Sequence, residues 1–150
     1  MTNELLLLSG NDIPFPQASV TIHPLRLKEI AYLGEEVFYS GCELLKFSKD
    51  ILSTEDKNSL SQYSDFQILM SILSDNSASM QNNVSSALMV LDFIFPLYLV
   101  KVSPIGISLF DRNNPEELCG TITEKNFSDF KQIIIKIFCL EKTSSETYNV

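Results

Sequence analysis

Residues 25–52, LRLKEIAYLGEEVFYSGCELLKFSKDIL, decide the fold class because they carry the clearest helical periodicity in the chain. Steps of seven residues through this segment yield two neighbouring apolar columns: Ile30, Val37, Leu44, Ile51 and Ala31, Phe38, Leu45, Leu52. Together the columns form an apolar stripe about seven helical turns long. A further column is acidic at every seventh position: Glu29, Glu36, Glu43 and Asp50. The pattern predicts amphipathic helix that buries the apolar stripe and exposes the acidic column.

Two glycines seven residues apart, Gly34 and Gly41, lie on one flank of this stripe. A glycine inside a helix costs about 1 kcal/mol relative to alanine. Either another backbone packs closely against this flank, or one of the glycines divides the segment into two helices. The sequence leaves both interpretations open.

The segments before and after this region indicate short strands and further helices. Ser19–His23 alternates apolar and polar residues, and with the apolar run Glu4–Leu8 it predicts a two-stranded N-terminal hairpin joined by a Pro-rich crossover. Helix starts are expected at Ser53 and at Ser64, followed by a polar loop over 74–86 that merges into another helix.

After Pro96 the apolar period changes from helix to strand. The segments Leu99–Val102, Ile105–Phe110 and Leu118–Thr123 are expected as strands, and Asn126 is expected to cap a last apolar helix. The element order predicts an α+β fold with a mainly helical core, a short N-terminal β-hairpin and a C-terminal β-hairpin followed by a helix. We expect one domain over residues 1–140 and a flexible C-terminal tail over 141–150.

Composition excludes several classes of protein. The chain has 150 residues, and its 11 basic and 19 acidic side chains leave a net charge of −8, which disfavours nucleic-acid binding. The three cysteines, Cys42, Cys119 and Cys139, are odd in number and far apart, so free thiols in a reducing cytoplasm are expected rather than disulfides or a zinc site. The most apolar stretch, Leu88–Val102, is interrupted by charged residues and a proline and is shorter than the ~20 residues of a membrane span.

No motif in the sequence indicates catalysis or a bound cofactor. His23 is the one histidine, and no nucleophile elbow accompanies it, so a structural hydrogen bond to a neighbouring loop is expected. The paired acids Glu35-Glu36 and Glu116-Glu117 are expected in solvent, whereas a catalytic pair needs one acid in an apolar pocket. Asp92 lies alone in an apolar helix and is expected to form a capping or buried hydrogen bond rather than to bind a metal.

Apolar residues beyond the stripe indicate a possible interface. Leu33 and Phe47 share a column, and Tyr32 and Tyr39 lie one step away, between that column and the acidic one. Aromatic side chains with a polar end are typical of protein interfaces. One interpretation is that Tyr32, Leu33, Tyr39 and Phe47 bind a protein partner, so that Tyr39→Asp weakens binding without affecting folding. The other is a wide core face covered by the rest of the same domain.

Several segments resemble small proteins from the tail modules of phages and prophages of low-GC Gram-positive bacteria. They are SGNDIPFP (9–16), TIHP (21–24), LKEIAYLGEE (27–36), GCELLKFSK (41–49) and, later, the helix opened by Asn126-Phe127 with its end Ile137–Leu140 and the stretch Glu146–Asn149. In that family the last stretch usually continues into a basic helical tail, whereas here Thr147 is extra and Val150 stands where proline is expected. This departure suggests the short product of a frameshifted chaperone pair or a shortened chain.

The resemblance implies a phage tail assembly chaperone, a non-catalytic protein of the host bacterial cytoplasm that coats the helical tape-measure protein during tail morphogenesis. Its partners would be the tape-measure protein or other tail proteins, with a homo-oligomer as an alternative, and neither nucleic acid nor a membrane. A helix-in-groove contact would suit such a client, and the net charge would keep the complex soluble. The alternatives are a structural virion subunit of the tail or baseplate, and an acidic inhibitor that mimics a phosphate backbone.

Overall fold

A computed structural model describes residues 12–15, 20–75 and 80–148, with side chains described up to residue 137. It confirms the predicted α+β class. The elements in chain order are β1 (Ile13–Pro14), β2 (Thr21–Ile22), α1 (Leu27–Leu33), α2 (Glu35–Leu45), a 3₁₀ turn (Lys49–Ile51), α3 (Thr54–Ser59), α4 (Asp65–Asp75), α5 (Gln81–Ile94), β3 (Tyr98–Ser103), β4 (Gly106–Asp111), β5 (Leu118–Ile122) and α6 (Phe127–Tyr148).

The two glycines of residues 25–52 each fulfil one of the two predicted roles. Gly34 separates α1 from α2 with φ +100°, a backbone conformation that side-chain-bearing residues rarely adopt, and its N–H donates to the Ile30 carbonyl at 2.7 Å. Gly41 lies inside α2, where a Cβ atom would be only 2.6 Å from the Ser86 carbonyl oxygen of α5. The segment is therefore two helices, and the second one packs backbone to backbone against α5.

The N-terminal hairpin pairs a different strand from the one predicted. β1 and β2 are antiparallel, with Ile13 opposite Ile22 and Pro14 opposite Thr21. The Pro-rich segment, expected as the crossover, therefore supplies the partner strand itself; a two-stranded ribbon tolerates Pro14 because one side of each strand needs no donor. The apolar run Glu4–Leu8 lies outside the described residues.

Two helices begin at the predicted residues, where local side-chain hydrogen bonds cap them. The Ser53 hydroxyl accepts from the Asp56 N–H, and Ser64 and Gln67 form a reciprocal capping box. Asn126 acts differently from the expected cap, because its side chain accepts from the Thr123 N–H and donates to the Thr121 carbonyl, which ties α6 back to β5.

Two helices are longer than the sequence indicated. α5 already begins at Gln81, so residues 81–86, expected as loop, are helical, anchored by the buried Val84 and Ser86. The backbone of α6 continues through residues 141–148, which were assigned to the tail. The flexibility of the tail and the domain bounds stay predictions.

The three C-terminal strands form one antiparallel sheet in the order β3-β4-β5. Leu99 lies opposite Phe110, which lies opposite Leu118, while Ile107 lies opposite Val102 and Ile122. Asp111 forms the predicted turn after β4, since its carboxylate accepts from the N–H groups of Asn113 and Asn114. Ile107, Leu109 and Ile122 face the core, so Leu99, Phe110 and Leu118 share the outer face.

The core lies between the helices and the inner face of the sheet. The ring of Phe130 on α6 lies 6.1 Å from that of Phe15 and 6.3 Å from that of Phe95, so it joins the N-terminal hairpin to the end of α5. The predicted apolar stripe is largely part of this core: Ile30, Phe38, Leu44 and Leu45 are buried, and Val37, Ile51 and Leu52 pack against its edge. Ala31 is exposed.

Candidate functional site: an aromatic patch and an acidic groove

The four residues predicted to bind a partner lie in different environments. Tyr32 on α1 is 85% exposed, whereas Leu33 is 7% and Phe47 is 2% exposed. Tyr39 on α2 is half-buried, packs against the core and has its ring 5.2 Å from the ring of Phe38. Leu33 and Phe47 therefore belong to the core of the chain itself and offer no surface to a partner in this fold.

The positions of Leu33 and Phe47 follow from the backbone between the elements. Leu33 is the last residue of α1, and the turn at Gly34 ends the flank that it would share with α2. Phe47 has a φ of +49°, a left-handed conformation that turns the chain after α2 and carries the ring into the core. The seven-residue column that joined them in the sequence does not exist as one helical row.

Tyr32 belongs to a small surface, here called the aromatic patch, made of the exposed Tyr32 and Met89 and the partly buried Phe93, which also packs against the core. The rings of Tyr32 and Phe93 are stacked, with centroids 6.3 Å apart and an interplanar angle of 27°. Met89 lies one turn from Phe93 on α5 and is 44% exposed. Met89 and Phe93 were not predicted from the sequence, although two large apolar residues four positions apart on one helix were the signal that could have indicated them.

Tyr39 lines a second surface, the acidic groove, of about 360 Å³. Its lining residues come from α2, from the 3₁₀ turn and from α5: Glu36, Tyr39, Ser40, Glu43, Ile51 and Asn83. The Glu43 carboxylate also forms an ion pair with the ammonium of Lys46, directly after the end of α2, at 2.9 Å. The groove therefore combines apolar walls with two carboxylates of the predicted acidic column.

His23 has the structural role expected from the sequence. Its Nδ1 lies 3.2 Å from the Asp12 carboxylate and its Nε2 lies 3.2 Å from the Glu29 carboxylate, while its backbone N–H donates to the Ile94 carbonyl at 2.8 Å. The imidazolium form can donate to both carboxylates at once. Through these contacts His23 connects the N-terminal hairpin to α1 and to the end of α5.

The remaining candidate groups differ in their exposure. Glu35, Glu36, Glu116 and Glu117 are exposed, as predicted. Burial raises the pKa of the Cys42 thiol to about 12, so it stays protonated at neutral pH.

Asp92 is exposed, so the buried one of its two predicted hydrogen-bond roles is wrong. Partial desolvation raises its pKa, and the positive charge of Arg112 opposes that shift. Arg112 in turn holds the chain after α5, since its guanidinium donates to the carbonyls of Pro96 at 2.9 Å and Tyr98 at 3.1 Å.

Comparison with known proteins identifies no relative of this chain. No family model matches the chain, and neither a curated protein nor a solved structure matches it. Within the described residues, no group of three or more histidine, cysteine, aspartate or glutamate side chains is placed to hold a metal ion. None of the helices in that part of the chain combines the length and the apolar character needed to cross a membrane.

Proposed function

We propose that this protein is a non-catalytic protein-binding module whose aromatic patch holds a partner protein. The observation that carries the proposal is the stacking of Tyr32, 85% exposed, on Phe93. Stacking fixes the tyrosine ring before a partner arrives, so little side-chain entropy remains to be lost on binding. Covering such a ring is worth roughly 2–4 kcal/mol, which is typical of an interface hot spot.

In the specific form that the resemblance implies, the partner is the helical tape-measure protein and the module is a phage tail assembly chaperone in the host cytoplasm. A chaperone of this kind must release its client when tail-tube subunits arrive. A patch of three side chains gives modest affinity for each contact, and many copies along a long client would supply the total. The proposal therefore requires several weak sites rather than one tight one.

The acidic-mimic alternative requires regularly spaced, unpaired carboxylates along one rod. Three of the four residues in the acidic column have partners: Glu29 faces His23, Glu43 pairs with Lys46, and Asp50 lies 3.9 Å from Lys57. The turn at Gly34 also separates Glu29 from Glu36 and Glu43. These contacts favour partner binding over mimicry.

One observation favours the second candidate, a structural subunit of the tail or baseplate. The outer face of the sheet carries Leu99, Phe110 and the 55%-exposed Leu118 side by side, which is a second apolar surface besides the aromatic patch. A subunit that stacks in a particle needs two such surfaces. Mass spectrometry of purified particles separates the candidates, because a structural subunit is present in stoichiometric amounts and a chaperone is nearly absent.

Co-expression with a tape-measure protein tests the proposed function. We expect the client to stay soluble with the native protein and to precipitate with Tyr32→Ser. Ile105→Ser is the matched control, since Ile105 is 83% exposed in the turn between β3 and β4 and is outside the aromatic patch. An insoluble client with the native protein, or equal loss with both variants, would contradict the proposal.

A further inference from the structure

We propose that the apolar run Glu4–Leu8 covers the aromatic patch of its own chain until a partner protein displaces it. This inference rests on the proposed function and specifies how the same patch is regulated. It follows from the edges of the N-terminal hairpin, from the position of Asp12 and from the apolar character of the run and of the patch.

The place predicted for the apolar run is closed in the structure, because β2 has both of its edges in use. On one edge β2 pairs with β1. On the other edge the Thr21 N–H donates to the Tyr98 hydroxyl at 3.3 Å, and the His23 N–H donates to the Ile94 carbonyl at 2.8 Å. The run therefore cannot pair with β2.

The free edge of β1 is also unsuited to a further strand. The Phe15 N–H donates to the Val20 carbonyl across the hairpin at 2.9 Å, and consecutive residues of a strand direct their N–H groups to opposite edges. Pro14 therefore lies with its nitrogen at the outer edge, where it has no N–H to donate. An apolar segment beside this hairpin is covered by side-chain packing rather than by strand pairing.

The described chain begins at Asp12, which lies close to the aromatic patch. The carboxylates of Asp12 and Glu29 face the two ring nitrogens of His23, each at 3.2 Å. Tyr32 follows Glu29 by three residues on α1, so their Cβ atoms are roughly 5–6 Å apart. Phe93 is next to the residue of α5 that accepts from the His23 N–H. One imidazole ring and one helical turn therefore separate the start of the described chain from the patch.

The length of chain before Asp12 suits this separation. Four residue steps lead back to the last leucine of the run and seven to the first, and they span at most roughly 14 Å and 25 Å when extended. The second apolar surface, the outer face of the sheet, is directed away from the hairpin, because Tyr98, which contacts β2, alternates in β3 with Leu99 of that face. The run can thus reach the patch without crossing the sheet.

The run and the patch also match in chemistry. Residues 5–8 are four consecutive leucines, and leucine side chains gain free energy when they pack against apolar atoms. Tyr32 and Met89 offer exposed apolar atoms, and the stacking on Phe93 holds the tyrosine ring in place. Because a short tether gives an effective concentration on the order of millimolar, even a weak contact is mostly occupied. A partner then has to compete with the run for the patch.

Hydroxyl-radical footprinting of the full chain, read by mass spectrometry, tests this inference with two tyrosines of one molecule. Tyr32 is 85% and Tyr63 is 47% exposed, so an uncovered Tyr32 should be the more reactive of the two. With the run on the patch, we expect Tyr32 to be oxidised roughly threefold more slowly than Tyr63.

Two variants that each remove two leucines assign the protection to the run. Leu6→Ser/Leu7→Ser should make Tyr32 react at least as fast as Tyr63, since neighbouring side chains point in different directions and at least one of the two contacts the patch. Leu97→Ser/Leu118→Ser removes exposed leucines outside the patch and should leave Tyr32 protected. Circular dichroism checks that both variants fold.

Three results would overturn the inference. The first is a native protein in which Tyr32 reacts faster than Tyr63. The second is a Tyr32 reactivity that is the same in the two variants. The third is protection of Tyr32 that falls on dilution, because the run would then come from a second copy of the chain.

The outcomes also separate this inference from the proposed function. If the run protects Tyr32 but Tyr32→Ser keeps the client soluble, the contact within the chain is upheld and the patch is not the partner site. If Tyr32 is unprotected in the native protein, the cover is rejected, and the client-solubility experiment decides on the patch alone.

Discussion

The close approach of α2 and α5 leads to a sharp prediction for Gly41→Ala. An alanine Cβ at this position would be 2.5 Å from Cγ2 of Val90, 2.6 Å from the Ser86 carbonyl oxygen and 2.9 Å from its carbon. The valine methyl group can rotate away, whereas the carbonyl is fixed in the α5 backbone. Ordinary contact begins at 3.4 Å, so the two helices would have to separate by about 0.8 Å.

The size of the effect follows from two opposing contributions. Alanine in place of glycine favours the helix by about 1 kcal/mol. Overpacking costs about 1–3 kcal/mol and occasionally more, and here separation also loosens a buried seam that includes Cys42, Leu45 and Ala87. Because the clash involves a fixed backbone carbonyl, the overpacking cost is expected at the upper end, about 3 kcal/mol. The net loss in the free energy of unfolding is then about 2 kcal/mol, which lowers Tm by roughly 4–8 °C in a chain of this size.

Urea and thermal unfolding followed by circular dichroism at 222 nm measure this loss. The double variant Gly41→Ala/Val90→Ala identifies its source, because removing the valine methyl groups relieves only the side-chain clash. Stability should therefore stay well below that of Val90→Ala alone. A neutral or stabilising Gly41→Ala, showing the ordinary gain in helix propensity, would refute the close backbone contact.

Three further predictions concern single side chains. Tyr39→Ser should lower Tm by several degrees while Tyr32→Ser leaves it nearly unchanged, because only Tyr39 packs against the core; equal shifts in differential scanning fluorimetry would contradict this. From pH 9 to 12 the unfolded chain loses the Cys42 proton before the folded chain does, since burial raises the thiol pKa from 9.0 to about 12. The free energy of unfolding of the native protein, measured with urea, should therefore fall relative to that of Cys42→Ala by up to about 1.4 kcal/mol per pH unit. If the difference between the two proteins stays constant over this pH range, the Cys42 thiol is not buried. Asp92→Asn should raise the free energy of unfolding at pH 7 by less than about 0.5 kcal/mol, because desolvation disfavours the ionised carboxylate of the native protein. At pH 3 the carboxyl group is protonated, so the substitution should give no gain. Destabilisation at pH 7 would show that the attraction to Arg112 is stronger than the desolvation.

Elements defined by local hydrogen bonds could be predicted from the sequence. The caps at Ser53 and Ser64 and the turn at Asp111 each join groups two or three residues apart, so their signals lie within a few letters. The partner of β2 could not be predicted in this way. The partner of a hairpin strand depends on which segment of the chain folds back beside it. Ile13–Pro14 lies nearer to β2 in the sequence than the apolar run that was expected to pair with it.

The candidate site could be predicted only in part. Tyr32 and Tyr39 line the two surfaces, but Phe93, Met89 and Asn83 come from α5, and periodicity within one segment does not reveal which side chains of another helix lie opposite. For Phe47 the alternative of a core face holds, because the chain turns after α2 and buries the ring. Its positive φ costs a bulky residue roughly 1–2 kcal/mol, which burial of the ring offsets.

Gly34 explains why the two tyrosines have different roles. In one continuous helix, Tyr32 and Tyr39 would lie seven residues apart on the same flank and would have similar exposure. The φ of +100° at Gly34 re-aims α1 relative to α2, so that Tyr32 projects outward over Phe93 while Tyr39 packs beside Phe38 and lines the groove. The residues that looked like the flank of a single rod therefore lie in two different settings, one against Phe93 of α5 and one against Phe38 of α2.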